Sequence, residues 1–501
     1  MAVGGAALFL SLVLAVAALA AQRLPWLPPA ALLTALILLW CVQRPSRWAY
    51  LLLATILLES SQFSLFIGPA RVRPMQILLL PATASIVLMA LGGLIRLPRV
   101  PLLAPLLLYL AVNALGTATS IAPAQSAKIT VLLVSLVLLY VLMYIVMVDD
   151  PEAFPSILRF TLSVGFLEIV YGLYQVAAGG ANVLFGLGLP IGDKGMLHAD
   201  YLGTFFGRPY GTLPEPDTYG AVCLFFALFV GLLWMTPSRR VFRNATLCLF
   251  FLAAGGGLLL SFVRASWFGL LAGLLLVAAL RLFGRIKPVL GVRLAGTLWL
   301  AGVLLFAAVL LSANLRDVLA RRFNVSGPMA VEQSLSLRNA RFQQMAYSFG
   351  LFCRRPLLGN GPGTFSVLGT MGAHEEYYLT ADRDLSRMYD PSLVTTILND
   401  TGLVGALAFL ILVWAYGDHV RRQTRRIADA AWRHAALAGH CALVGLFASF
   451  IFTQYFWLPF TWALLAIVLV QFELGARCQV PERGPAAVSR DAALNFSSES
   501  P

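Results

Sequence analysis

Apolar runs of roughly 20 residues, the length that crosses the hydrocarbon of a bilayer, recur along the whole chain and are apolar on all faces. About fourteen reach that threshold, so 12 to 14 helices in contact with lipid and with one another are expected. Polar residues gather instead in short basic turns and in two long connections, residues 179–217 and 313–392. This pattern predicts an all-α polytopic membrane protein, a helical bundle whose large outer loop contains short amphipathic helices. The expected units are N-terminal transmembrane helices (1–178), a first outer loop (179–217), central helices (218–312), the large outer loop (313–392), C-terminal helices (393–473) and a disordered cytoplasmic tail (474–501). The first run, Gly5 to Ala21, ends in Ala-Leu-Ala-Ala but lacks the basic start of a secretory signal, so it is read as a span. The run from Trp48 to Pro74 breaks at Glu59-Ser60-Ser61-Gln62 and predicts one span plus a re-entrant or interfacial piece. Gly255-Gly256-Gly257 and the Gly269/Gly273 pair predict close helix approaches.

Composition excludes a soluble globule: 59% of residues are hydrophobic, 12% are charged and mean hydropathy is +0.81. The net charge of +13 points to membrane sidedness rather than nucleic acid, because the arginines concentrate in alternate turns. Placing Arg44/Arg47, Arg96/Arg99, Arg239/Arg240 and Arg421/Arg422/Arg425/Arg426 in the cytoplasm puts both long loops outside, together with Arg264. The six cysteines form no CxxC pair and read as small buried hydrophobes, with neither a metal cluster nor a disulfide framework.

Against that background Arg264 stands out, lying between two apolar runs, Ala245 to Val263 and Ala265 to Leu280. A guanidinium at the edge of hydrocarbon calls for a partner or an aqueous cavity. Arg208, in Arg208-Pro209-Tyr210-Gly211-Thr212, stands near the same outer surface. Two such cations suit a lipid-linked diphosphate, whose oxygens accept bidentate hydrogen bonds and whose charge grows as a sugar departs, with no metal or cofactor needed. In the large loop, Ser336 to Phe352 has amphipathic helical spacing and carries Arg338 and Arg341, candidate contacts for an acceptor. Next come a glycine-rich segment, Gly359 to Gly363, read as a rigid turn rather than a phosphate loop, and an acidic patch. Within that patch Asp390, then His374 and Glu375, are candidates for a general base or an orienter of an acceptor hydroxyl. His440 reads as a hydrogen-bonded helix contact, His419 and His434 as residues of a cytoplasmic turn, and His198 as a minor outer candidate.

Four segments together resemble the O-antigen ligase and Wzy-type polymerase superfamily: Arg208 to Thr212 leading to Asp217-Thr218-Tyr219-Gly220, Ser261 to Ser266, Pro356 to Phe365, and Leu398 to Gly405. The resemblance implies a GT-C-like bundle in the bacterial inner membrane. It would transfer a glycan from undecaprenyl diphosphate to an acceptor on the periplasmic face, without metal, with Arg208 and Arg264 on the carrier diphosphate. Gly402-Leu403-Val404-Gly405 matches the family's Gly-x-x-Gly, whereas the His that opens this element in ligases is replaced by Pro391-Ser392, one position after Asp390.

That departure favours an inverting polymerase of exopolysaccharide or O-antigen repeat units. The alternatives are a ligase delivering glycan to lipid A-core or protein, and a transporter or flippase of an anionic lipid. Expected partners are the lipid-linked donor, a glycan acceptor and the bilayer, with a chain-length regulator and flippase of the same pathway. Nucleic acid is not among them.

Overall fold

In a computed structural model, described over residues 40–41, 43–56, 65–67, 70–177, 209–213, 216–235, 243–261, 263–283, 344–368, 390, 392–453 and 455–477, the chain is a bundle of α-helices. Their order is α1 (Ser46–Ile56), α2 (Pro74–Leu91), α3 (Leu103–Ala118), α4 (Pro123–Asp149), α5 (Phe154–Ala177), α6 (Pro216–Trp234), α7 (Asn244–Ser261) and α8 (Arg264–Leu282). There follow α9 (residues 344–354), α10 (Phe365–Leu368), α11 (Leu393–Arg426), α12 (Ala430–Ser449) and α13 (Pro459–Arg477). Eight of the described helices are long and apolar enough to cross a membrane. The first apolar run, Gly5 to Ala21, and the tail beyond Arg477 lie outside the described residues.

Three helices form the interior: α4, α6 and α13. Their composition does not announce this, since α6 and α7 are similarly apolar yet 83% of the one and 33% of the other is buried. What separates them is the matching of small residues. α6 packs against α5, α7, α8 and α12, and Gly165 and Gly172 of α5 leave the room that the Phe226 and Tyr219 rings occupy. Gly257 of α7 receives Tyr219 and Cys223 in the same way, while Gly255 and Gly256 face open space. α8 crosses α12 where Gly269 meets Gly445, backbone to backbone, and Gly273 lies 3.2 Å from the Cys441 carbonyl by its virtual Cβ.

Polar contacts tie one end of the bundle. The Ser46 hydroxyl donates to Asp150 at 2.8 Å, the Arg96 amide to Asp149, and Gln423 to Glu473 at 3.1 Å. α11 runs ten residues past Tyr416, so His419 and His434 sit on α11 and α12 rather than in a turn between them. His440 accepts or donates a hydrogen bond at 2.9 Å with the Tyr416 hydroxyl, the helix contact expected of it. Of the cysteines, Cys41, Cys223 and Cys441 are buried, Cys248 is half-buried and Cys353 is exposed.

One element departs from the helical expectation. After α1, Leu65–Ile67 (β1) pairs antiparallel with Ala70–Val72 (β2), Phe66 opposite Arg71, immediately before α2. The interrupted run from Trp48 thus ends in a small hairpin.

The glycine contacts predict an asymmetric response. Gly269→Ala drives a methyl into the Gly445 carbonyl and is expected to cost about 1–3 kcal/mol, lowering the thermal midpoint in detergent. Gly256→Ala fills open space and leaves the midpoint unchanged. Equal midpoints for the two variants would contradict the packing described.

Candidate functional site

Two of the residues singled out by sequence are described, Arg264 and Asp390. Arg208, Arg338, Arg341, His374, Glu375 and His198 lie outside the described residues.

Arg264 opens α8 after a turn of only two residues from α7. Val263 caps the helix, its carbonyl accepting from the amides of Ser266 and Trp267 at 3.1 and 3.2 Å. Gly220, in the second turn of α6, backs Val263 so closely that a Cβ there would lie 2.7 Å from its side chain. Val263 is buried, whereas the Arg264 side chain is exposed, with no hydrogen-bond or ion-pair partner among the described residues. Its charge is therefore presented outward from the end of the bundle.

The turn Pro209–Leu213 is fastened at the same end by two polar side chains of α5. Glu168 accepts from the Thr212 amide at 2.7 Å and from the Thr212 hydroxyl at 2.8 Å. Gln175 accepts from the amides of Tyr210 and Gly211 at 3.1 and 2.8 Å, and donates to the Gly211 carbonyl at 2.9 Å. Gly211 has φ +63°, and Glu168 fills the space a side chain would need. Sequence reading passed over Glu168 and Gln175. Their spacing of two helical turns, on one face of an otherwise apolar helix, was the available signal.

Asp390 lies just ahead of α11 and is 2% exposed. Its carboxylate accepts from the hydroxyls of Ser348, on α9, and Thr395, on α11, and from the Ser392 amide at 3.3 Å. Ser392, in the motif position discussed above, caps α11 by accepting from the Val394 amide at 3.2 Å. Burial pushes the Asp390 carboxyl up to about 6, and the three donors offset only part of that cost. With most of its lone pairs engaged, the group is arranged to hold neighbouring elements in place.

The glycine-rich turn and the Gly402 motif form one unit. Gly402 breaks α11 with φ +62° and ψ −158°, a conformation open essentially to glycine alone. In an unbroken helix the amides of Leu403 and Val404 would donate to the carbonyls of Asn399 and Asp400. Here they donate to Pro356 and Leu357 at 2.8 and 3.2 Å, while Asn399 and Asp400 accept from the amides of Asn360 and Gly361 at 2.7 and 3.0 Å. Side chains reinforce the exchange: Asn360 donates to Asn399 at 3.0 Å, and Asp400 accepts from the Gly363 amide at 3.0 Å. The Asn360 carbonyl in turn accepts from Ile121 and Ser120, in the turn between α3 and α4. The glycine-rich segment read as a rigid turn is thus the clamp of a broken transmembrane helix.

All these features share one end of the bundle. The Leu393 amide donates to Phe450 and Thr453 beyond α12, and Phe452 meets Phe268 of α8 with ring centroids 5.2 Å apart, linking Asp390 to the α7–α8 turn.

Residues 248–410 match the family model described as O-antigen ligase. The segment begins in α7, contains Arg264, the 356–364 clamp and Asp390, and ends within α11. Over that segment, about a third of the chain, the protein is similar to the O-antigen ligase family. No curated protein matches the chain.

Two predictions follow from this geometry. Gly402→Ala forces strain of about 1–3 kcal/mol and a collision with the Leu357 carbonyl, and is expected to lower the thermal midpoint markedly. Gly417→Ala, on the same helix in open space, leaves it unchanged. For Asp390, the folded chain binds the proton more tightly than the unfolded one, whose value is near 3.8. Its contribution therefore declines as pH rises from about 4 to 6, by at most about 3 kcal/mol, and is constant above. Asp390→Asn removes that slope. A midpoint difference between wild type and Asp390→Asn that is constant from pH 4 to 7 would refute the assignment.

Proposed function

We propose that this protein is a glycosyltransferase of the bacterial inner membrane that polymerises undecaprenyl-diphosphate-linked repeat units on the periplasmic face. The observation that carries this reading is Arg264, exposed and unpartnered among the described residues, at the same end as Asp390 and within the segment that matches the family. The sidedness is supported by charge: the opposite end carries Arg44, Arg47, Arg96, Arg421, Arg422 and Arg425, the distribution of a cytoplasmic surface.

In the proposed reaction an acceptor hydroxyl attacks the anomeric carbon of the donor, the bond to the diphosphate oxygen breaks with its electron pair, and the configuration inverts. Arg264, with Arg208, offsets the charge that develops on the departing diphosphate, where fixed cations outside bulk water act most strongly. The hydroxyl's proton passes to a base, for which His374 and Glu375 are candidates. Asp390 is assigned to orienting the acceptor, since its burial and its bonds to Ser348 and Thr395 favour positioning over direct proton abstraction. A ligase using the same donor site is the second reading, favoured by the description of the matching family. The replacement of its expected His by Pro391 counts against it.

The test is purified protein supplied with synthetic undecaprenyl-diphosphate repeat units. Chain lengthening is the expected result. Consumption only when a separate acceptor is added would select the ligase, and absence of any new glycosidic bond would overturn both. Arg264→Ala and Arg264→Lys are expected to reduce product at least ~100-fold with membrane insertion intact, and near-normal turnover in either would remove the clamp.

A further inference from the structure

Arg264 is not the sole exposed cation at its end of the bundle. Arg354 and Arg355 close α9, and Lys128 stands in the second turn of α4. The Arg355 guanidinium donates to the Thr119 carbonyl at 3.2 Å, so it lies across the turn between α3 and α4 with most of its donors unspent. Arg354 and Lys128 have no hydrogen-bond or ion-pair partner among the described residues. Among the described residues, the carboxylates tied to α9 and to the clamp, Asp390 and Asp400, are buried and engaged by other donors. A favourable helix C-terminus accounts for tolerating an arginine on α9, but not for Lys128 on a different helix.

Exposed apolar side chains stand on the same elements as these cations and on those joined to them. Lys128 shares the outward face of α4 with Val131 and Val134, which are 60% and 47% exposed. Leu115, one turn below Thr119, is 48% exposed, and Leu403 and Leu357, joined to the clamp, are 51% and 66% exposed. Exposed apolar side chains together with cations fit an amphiphile with a hydrocarbon tail and an anionic head.

This group lies in a different sector from Arg264. α8 packs on α12 and α6, whereas Lys128 and Arg355 stand on α4 and against the α3–α4 turn. Between the sectors sits Asp390, joined to α9 through Ser348 and to the end of α12 through Leu393. We propose that Lys128, Arg354 and Arg355 form a second binding site for a lipid-borne diphosphate, taking the second lipid-linked chain on the far side of Asp390 from the donor. The inference rests on the polymerase reading, since two lipid diphosphates must then be held at once.

The experiment counts molecules of undecaprenyl diphosphate, the probe, bound per chain in phosphatidylcholine nanodiscs by native mass spectrometry. Wild type is expected to bind two, Arg264→Gln one, and the triple variant Lys128→Gln/Arg354→Gln/Arg355→Gln one. The combined variant is expected to bind none. The single variants Arg354→Gln and Lys128→Gln, which break no contact among the described residues, are each expected to weaken one site about tenfold at an unchanged thermal midpoint. A triple variant that still binds two molecules overturns the second site and leaves the donor reading intact. Loss of both molecules in Arg264→Gln alone means a single shared site, and also overturns it. Displacement of the second molecule by phosphatidylglycerol at equal mole fraction reduces the surface to a general anionic-lipid contact and overturns it. A wild type that binds none removes the donor reading as well.

Discussion

In hydrocarbon no water is at hand to replace a missing backbone hydrogen bond, so a transmembrane helix can break only where other parts of the chain meet its freed groups. At Gly402 that condition is met by an exchange. Two amides of α11 turn to the carbonyls of Pro356 and Leu357, and the two carbonyls left behind take the amides of Asn360 and Gly361. The left-handed glycines at 359, 361 and 363 let the turn run against the helix backbone, since a side chain at 359 would lie 2.6 Å from the Asn399 carbonyl. The break is therefore a joint between two sequence-distant segments, not a flaw in one.

The joint fixes more than α11. Through Asn360 it holds the α3–α4 turn, and through the chain leading back from Pro356 it sets α9, whose Ser348 reaches Asp390. The same end is closed on its other side by glycines that bring α6 against the α7–α8 turn and α8 against α12. Arg264 and Asp390 thus stand on separate supports that meet where the chain after α12 contacts both Leu393 and Phe268.

Much of the fold was legible because bilayer length imposes a strong period on composition: the boundaries of α7 and α8 fall within two residues of the apolar runs that flank Arg264. Which helices lie inside was not legible, because lipid and protein interior reward the same side chains. Gly269 and Gly256 look alike in sequence, yet one touches backbone and the other faces space. The hairpin before α2 was hidden for a different reason, since six paired residues are too few for a period to register. For the site, motif order brought Arg264, Asp390 and the glycine-rich turn to notice separately. That the turn and Gly402 are partners depends on a contact between residues some 40 apart in sequence, which no local pattern records.

Charge placement follows from the same scarcity of water. Glu168 and Gln175 are buried, and each is occupied in holding the Pro209–Leu213 turn. Asp400 is buried and occupied in holding the clamp. Arg264, Arg354 and Lys128 are exposed and free of partners among the described residues. Among the described residues, these acids and amides spend their hydrogen-bonding capacity on architecture, and these cations keep theirs available. Among the described residues the cations at this end are thus left without carboxylate partners, which is the spare capacity that the proposed lipid-borne diphosphates would use, and the exposed Leu357 close to Arg355 in sequence suits the hydrocarbon part of such a ligand.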